Sequence, residues 1–567
     1  MKRTLLRMLP SIQWIKSYSR EDFSGDLIAG IITAILLVPQ GMAFGILAGL
    51  PAQTGLYASI LPPIVYAIFG TSRTLAVGPV SVAAIMVAQT LASLPETVHP
   101  LNAALTMAVL SGGALLIFGC FRFGKVANFM SHSVLSGFTN AAAILIILSQ
   151  LPNLIGFSKP QHISWQSVTQ EIELGFQLNS GITLLIGLLS VVFLVFCTHS
   201  LINLLSKLHV PRSTATLISR AAPLGIVCLS AVSVSSFNLE SVKVVGSIPA
   251  GLPQFELSIP SIEILKLLLI PSILIALIGY VESISIAKTL ANRHRQKIDT
   301  NQELIALGVA NLSAGISGGM PVAGGFSRTM VNYAAGAKTQ LAAIITAILV
   351  GAVALFFTPL LQHIPKAALA AIIIVAVTKL IDIKGAWKIW RYDRIDGLVL
   401  LTTTTAVLFL GIEAGLAIGV GFSLTSLSIR AAKPHVAVMG RVPRTEHFRN
   451  ILRHDVETWP HLLFIRVDEN LTFANVAFLE TLTADYLVTN NEVKHVIFVF
   501  SSVNIIDSSA LEVLERMIET TKELDVTIHL SDVKGPVMDK LKTSHLIELL
   551  RPGGVYLSAN EAAETLK

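Results

Sequence analysis

From Phe23 to Arg430 the chain is a succession of apolar runs, each about 15–25 residues long, separated by short polar turns. A bilayer core about 30 Å thick takes about 20 residues at the helical rise, so runs of this length fold as spanning helices. Inside lipid every backbone N–H and C=O must find its partner within the protein, which restricts the fold further. Composition agrees. Hydrophobic residues make up 53% and charged residues 13%, and the mean hydropathy of +0.70 leaves too little polar surface for a soluble globule.

Spans are expected near residues 24–50, 56–69, 74–94, 101–121, 131–151, 181–205, 213–234, 264–288, 302–318, 326–336, 339–361, 366–381, 396–411 and 413–430. This fourteen-span pattern places both chain ends on one side. Loops on that side carry most of the cations, among them Arg73, Arg122, Arg293, Arg295, Lys297, Lys384, Lys388 and Arg391, whereas opposite loops hold Lys159, Lys243 and Lys366. The bias predicts cytoplasmic termini. Residues 1–23 are a basic, partly amphipathic cytoplasmic lead-in without the pattern of a cleavable signal peptide. Loop topology therefore accounts for the formal charge of +6, and no nucleic-acid partner is expected. Cys120, Cys197 and Cys228 fall in apolar runs and read as small core residues. Neither they nor the histidines have metal-ligand spacing, so no metal or cofactor is expected.

After Lys433 the pattern changes. "HLLFIRVD", "KHVIFVFSSVN" and "DVTIHLSDV" alternate as strands with the amphipathic helices "NVAFLETLTADYLVT", "ALEVLERMIETTKEL" and "GPVMDKLKTSHLIELL". This predicts a transmembrane domain over 24–433 and a small soluble α/β domain over 434–567. The tail has no glycine-rich phosphate loop.

Two spans break the helical rule. The third, "FGTSRTLAVGPVSVAAIM" (69–86), and the tenth, "SGGMPVAGGFSRTMVN" (317–332), each read as an extended Gly/Pro segment running into a short helix. They occupy position three of the first and of the second set of seven spans. Interrupted segments in matching places of two halves point to a transport site at the membrane midplane. With seven spans per half the second half is inverted, so the short helices meet N-terminus to N-terminus. Each end offers free N–H groups and roughly half a positive charge, and Arg328 adds one more, about +2 in total. That is an anion cradle. The rival reading is that the glycines serve helix packing and Arg328 snorkels to the cytoplasmic surface.

Glu282, in "GYVESISIA" of the eighth span, is the other ionisable group set in an apolar run to be weighed. An intramembrane carboxylate marks an ion route or a paired charge. Two readings stay open: Glu282 couples a proton to anion entry, or it forms a static pair with Arg328. Arg220, in the seventh span, has no assigned role.

The chain resembles the SulP sulfate permease family. The likeness runs through "DLIAGIITAILLVPQGMAFGILAGLPAQTGLYASILPPIVYAIFGTSRTLAVGP" and "ALIGYVESISIAKTLANRHRQKIDTNQELIALGVANLSAGISGGMPVAGGFSRTMVNYAAGAKT", and the tail is similar to the family's STAS domain. The resemblance implies an α-helical polytopic membrane protein of 7+7 inverted repeats, divided into core and gate, that moves as an elevator and forms a homodimer. It also implies a substrate pocket of Gln40 and Phe44 on the first span, Val80 and Ser81 on the third, and Gly325, Phe326, Ser327 and Arg328 on the tenth. The amide and hydroxyls are donors there, and Phe44 presents a positive ring edge. Ser508, in "NIIDSSALEVL", aligns with a phosphorylation site of related antagonists of anti-sigma factors, although in a transporter an ordinary helix cap is the favoured role. The tail is then regulatory, with a possible cytoplasmic partner.

The expected function is a secondary active anion transporter of the inner or plasma membrane, importing sulfate with protons. Alternatives are sodium-coupled bicarbonate or proton-coupled dicarboxylate transport, chloride exchange, a passive anion channel or exchanger, or an anion sensor signalling through the tail. No nucleophile–base set supports an enzyme.

Overall fold

The computed structural model describes residues 9–567 apart from 17, 96–97, 125–130, 157–180, 210, 212–214, 216–217, 220, 240, 247–250, 252–260 and 294–295. Arg220 thus lies outside the described residues. The chain divides into two compact units, Met1–Ser423 and Leu424–Lys567.

Among the described residues seven helices are long and apolar enough to cross a membrane: Arg20–Leu47, Ala52–Phe69, Pro100–Cys120, His132–Ile155, Gly181–His199, Ile262–Ala291 and Ala414–Ala432. They account for the first, second, fourth, fifth, sixth, eighth and fourteenth spans. The others are shorter: Ala222–Ser236, Thr300–Ile316, Leu341–Phe356, Lys366–Thr378 and Arg394–Leu410, with the broken third and tenth completing the set. The fourth span packs on the eighth as the first packs on the eleventh, and the fifth on the thirteenth as the sixth on the twelfth. Exchanging the two sets of seven converts each contact into its mate, which is the mark of the repeat. Spans 1–4 and 8–11 gather around the broken segments, while the fifth, sixth, seventh, twelfth and thirteenth form a second cluster.

Two features of the membrane unit depart from the sequence reading. Only Cys197 is buried, while Cys120 and Cys228 are exposed on their helices. Both sit in spans, where a small apolar thiol faces lipid as readily as protein. An unanticipated amphipathic helix, Ile383–Tyr392, joins the twelfth and thirteenth spans and buries none of its residues. Trp387 and Tyr392 are exposed there beside Lys384, Lys388 and Arg391, the residue types that settle at a membrane–water boundary.

After two short strands in the first unit, Val77–Pro79 (β1) and Val322–Gly324 (β2), the second unit holds Val436–Arg441 (β3), Phe448–Asn450 (β4), Leu462–Val467 (β5), His495–Val499 (β6), Thr527–Ser531 (β7) and Val555–Tyr556 (β8). These six form one sheet in the order β4-β3-β5-β6-β7-β8. β5 to β8 run parallel, and β3 is antiparallel to both β4 and β5. The three expected strands are the parallel centre. The antiparallel hairpin and β8 were not legible, because Val436–Arg441 mixes glycine and arginine, and β8 is two residues long. The last expected helix is interrupted between Lys542 and Leu546. One face of the sheet packs Leu479, Leu514 and Met517 from the long helices. The other packs Ala559, Ala562 and Ala563 of the C-terminal helix against Phe464.

His529 on β7 is 2% exposed. Its Nδ1 accepts from the Gly554 N–H at 3.0 Å, so the neutral ring carries its proton on Nε2 and donates to His495 Nδ1 at 3.0 Å. Burial, followed by the neighbouring His495, lowers its pKa to about 4. An unfolded histidine titrates near about 6.5, so the unfolded chain takes the proton first as pH falls. Stability from this group is full above that value and is lost progressively down to the folded pKa. The melting temperature of a fragment spanning Leu424–Lys567 is expected to drop across this window, and His529→Gln to flatten the dependence. A melting temperature independent of pH across the window would contradict this.

Candidate anion site at the crossing of two broken spans

The third and tenth spans meet through two three-residue strands, Val77–Pro79 (β1) and Val322–Gly324 (β2). They pair antiparallel, with Gly78 opposite Ala323, and the Gly325 N–H extends the ladder to Ala76 C=O at 3.1 Å. Each strand runs straight into a helix, Ser81–Ala92 after Val80 and Phe326–Ala334 after Gly325. Because the strands are antiparallel, the helices leave in opposite directions and both N-termini stay at the crossing. Val80 and Gly325 are N-caps with extended backbone and no side-chain cap. Their first-turn N–H groups are therefore available to an anion.

Non-helical backbone at this depth needs partners, and polar side chains from neighbouring spans supply them. Asn311 brackets Val322, accepting from its N–H and donating to its C=O, both at 2.9 Å. Ser283 Oγ accepts the Gly324 N–H at 2.7 Å. Thr329 Oγ1 accepts the Ala76 N–H at 3.0 Å, and Asn332 donates to Thr74 C=O at 3.0 Å. Gln340 donates to Ser72 C=O and Leu75 C=O.

Two buried carboxylates that the sequence reading passed over anchor the approaches. Glu303, 1% exposed, accepts from Tyr66 Oη at 2.7 Å, Thr71 N–H at 2.7 Å, Thr71 Oγ1 at 2.5 Å and Ser72 N–H at 3.0 Å, holding the loop before β1. Asp26, fully buried, accepts from Lys338 N–H at 2.7 Å, Thr339 N–H at 2.9 Å and Thr339 Oγ1 at 2.5 Å, holding the loop after the tenth span. A carboxylate inside an apolar run was the available signal in both cases.

Arg328 is 2% exposed, so it does not snorkel. Its Nη1 donates to Pro79 C=O at 2.5 Å, tying the tenth span to the third. The guanidinium lies against Gly78 and Gly325: a Cβ at these positions would stand 3.4 Å and 2.9 Å from Nη2. At Gly325 the guanidinium would have to shift, whereas at Gly78 the contact would be an ordinary one.

Of the expected pocket residues, Gln40, Phe44 and Val80 are buried, Ser81 is half-buried, and Phe326 and Ser327 are exposed at the crossing. Gln40 and Phe44, one turn apart on the first span, share the face of a helix that packs on both half-helices. Glu282 is half-buried. Its helix meets β2 through Ser283 and through Gly279, whose Cβ would lie 3.1 Å from Ala323. Glu282 feels the charge of Arg328, yet among the described residues the ion pairs closer than 4 Å do not include it. In the tail, Asp507 caps the helix Ser508–Glu523 by accepting from Ala510 N–H at 2.8 Å, and Ser508 is exposed in its first turn.

Two substitutions test this construction. Glu303→Ala strands the Thr71 and Ser72 amides and the Tyr66 hydroxyl and is expected to cost about 3 kcal/mol or more, read as a lower unfolding temperature in detergent. Gly325→Ala forces the guanidinium away from Pro79 and is expected to abolish anion binding while the protein still expresses. Wild-type thermal stability in the first, or wild-type binding in the second, would refute the respective role.

The sequence pattern of the sulfate permease family matches residues 23–403, and that of the STAS domain residues 453–562. Sulfate transporter 4.1, chloroplastic, of Arabidopsis thaliana is 36% identical over 572 residues, covering 98% of this chain and 82% of that protein. The murine Solute Carrier 26 family member A9 anion transporter, solved in its inward-facing state, superposes with a TM-score of 0.88 at 24% identity, over 100% of this chain and 95% of that one. The transmembrane domain of the cyanobacterial bicarbonate transporter BicA gives 0.60 at 23% identity, over 72% and 98%. At these identities the structural likenesses establish the fold. With its repeated spans, its crossing and its tail sheet, the chain is a multi-pass membrane transporter, not an enzyme, and belongs to the sulfate permease family.

Proposed function

We propose that this protein is a secondary active transporter of inorganic anions, that sulfate is its substrate, and that protons drive import. One observation carries the reading: two uncapped helix N-termini face each other at a non-helical crossing, with the buried Arg328 beside them. Such an arrangement attracts a small anion and has nothing to offer a cation. Sulfate is favoured because the Arabidopsis relative carries it by name and because about two positive charges match a dianion.

In this reading the anion accepts main-chain N–H bonds behind Val80 and Gly325 and hydroxyl bonds from Ser81 and Ser327. Gln40 donates through its amide, while Phe44 and Phe326 exclude water. Arg328 contributes chiefly through its field, since its Nη1 is bound to Pro79. Glu282 carries the coupled proton, near enough to Arg328 for each charge state to influence the other. The core spans move as an elevator against the second cluster. The protein is a homodimer of the inner or plasma membrane with both termini in the cytoplasm. Its STAS domain, with Ser508 open to modification, serves regulation or assembly.

Uptake of radiolabelled sulfate into proteoliposomes tests this. An inward proton gradient is expected to drive accumulation. Arg328→Ala should reduce uptake at least tenfold, and Glu282→Gln should leave exchange intact while abolishing the gradient's effect. Ser81→Ala and Ser327→Ala should each raise KM about ten- to a hundredfold, the worth of one hydrogen bond to a charged ligand. Accumulation of bicarbonate or a dicarboxylate but not sulfate would replace the substrate. Sodium dependence would replace the coupling ion, gradient-independent flux would make the protein a channel or exchanger, and absence of any flux would favour a sensor.

A further inference from the structure

A second polar site adjoins the crossing and shares only Arg328 with the pocket proposed for the anion. Thr33 and Leu37 of the first span, Val77 of β1, Arg328 and Asn332 of the tenth and Thr346 of the eleventh line a small cavity, with about 10 Å³ open to the centre of a water molecule. Its polar walls are deeply buried: Thr33 and Thr346 are 3% exposed, Arg328 and Asn332 2%. Three of the residues that line this cavity carry four buried side-chain atoms with no hydrogen-bond partner in the protein: Thr33 Oγ1, Arg328 Nε and Nη2, and Asn332 Oδ1. Buried polar atoms without partners cost about 1–3 kcal/mol each, so their gathering around one space points to a resident group.

We propose that this cavity is a built site for a single water molecule, which fixes the guanidinium of Arg328. Size sets the first limit. One water needs roughly 10–15 Å³ by this measure, so the space holds one and excludes sulfate or bicarbonate. Charge and donor chemistry set the second. Asn332 donates through Nδ2 to Thr74 C=O, which leaves its Oδ1 as an unpaired acceptor, unfavourable to a halide. The guanidinium N–H groups oppose a sodium ion. Water alone matches both kinds of wall: it accepts from Arg328, donates to Asn332 Oδ1 and exchanges a hydrogen bond with the Thr33 hydroxyl. Three such bonds are usual for a buried water.

The consequence concerns Arg328. Its Nη1 is held by Pro79 C=O, and the water holds the remaining side of the fork. Thr33 and Asn332 are then positioning residues for the cation: they fix where its charge sits without touching the transported anion. This goes beyond the proposed transport role, because the water is present whichever anion is carried.

The test is a crystal structure of the full chain at about 2 Å or better, grown with bromide as the only halide, for the native protein and for Asn332→Leu. The expected native result is one isolated density within hydrogen-bond distance of Thr33 Oγ1, Asn332 Oδ1 and the guanidinium, with no anomalous signal. In Asn332→Leu the density should be lost and the guanidinium displaced from Pro79. Bromide's anomalous signal at this place would overturn the assignment in favour of an anion site. A guanidinium ordered on Pro79 with no density in the cavity would also overturn it. In proteoliposomes Thr33→Val is expected to raise KM for radiolabelled sulfate several-fold with the maximal rate little changed, and Thr33→Ser to restore it. Unaltered KM in Thr33→Val would overturn the positioning role. Absence of sulfate transport in the native protein would count against the substrate assignment alone, since the diffraction result does not depend on it.

Discussion

Everything in the membrane unit is arranged around six residues that are not helical. β1 and β2 exchange backbone hydrogen bonds in the middle of two spans, where lipid offers no substitute partner and an unpaired amide is costly. A pair of strands this short does not hold itself together in isolation. The surrounding spans therefore contribute amide and hydroxyl side chains, Asn311, Ser283, Thr329, Asn332 and Gln340, each satisfying main chain that the two strands leave over. The price of opening two helix N-termini inside a membrane is thus spread over many side chains on several helices.

Charge follows the same logic. Asp26 and Glu303 are buried carboxylates, but each is surrounded by main-chain N–H and hydroxyl donors. A carboxylate with several such donors is tolerated in low dielectric where an isolated one is not. They clamp the loops on either side of the crossing, so that the half-helices approach from rigid supports. Arg328 is the complementary case, a cation buried against carbonyl and glycine backbone without a contact ion pair. Fixed groups of this kind attract an anion without reorganising when it arrives.

Much of this was legible in the sequence, and for identifiable reasons. Span length is set by bilayer thickness, so fourteen apolar runs translate directly into spans. The Gly/Pro interruptions at the third and tenth runs marked the crossing because glycine and proline have few other uses there. The direction of Arg328 was not legible: a cation near a span end is equally compatible with the surface, and only packing against Gly78 and Gly325 decides. Nor was the network of Gln, Asn and Thr residues, which look like ordinary polar punctuation until partners more than two hundred residues away are brought beside them. In the tail, the long central strands announced themselves through β-branched runs, whereas the two-residue β8 is specified by its neighbours.

The pairing of β1 with β2 also has a bearing on how the protein is made. Val77 precedes Gly324, its partner, by most of the membrane unit. While the ribosome is still producing the intervening spans, the carbonyls and amides around Gly78 have no mate. The first seven spans, complete in number, are therefore an unfinished object that must wait in the membrane, shielded by the insertion machinery or by provisional contacts. Closure of the ladder is a late, long-range event, and until the tenth span arrives to supply it neither half has a finished interior.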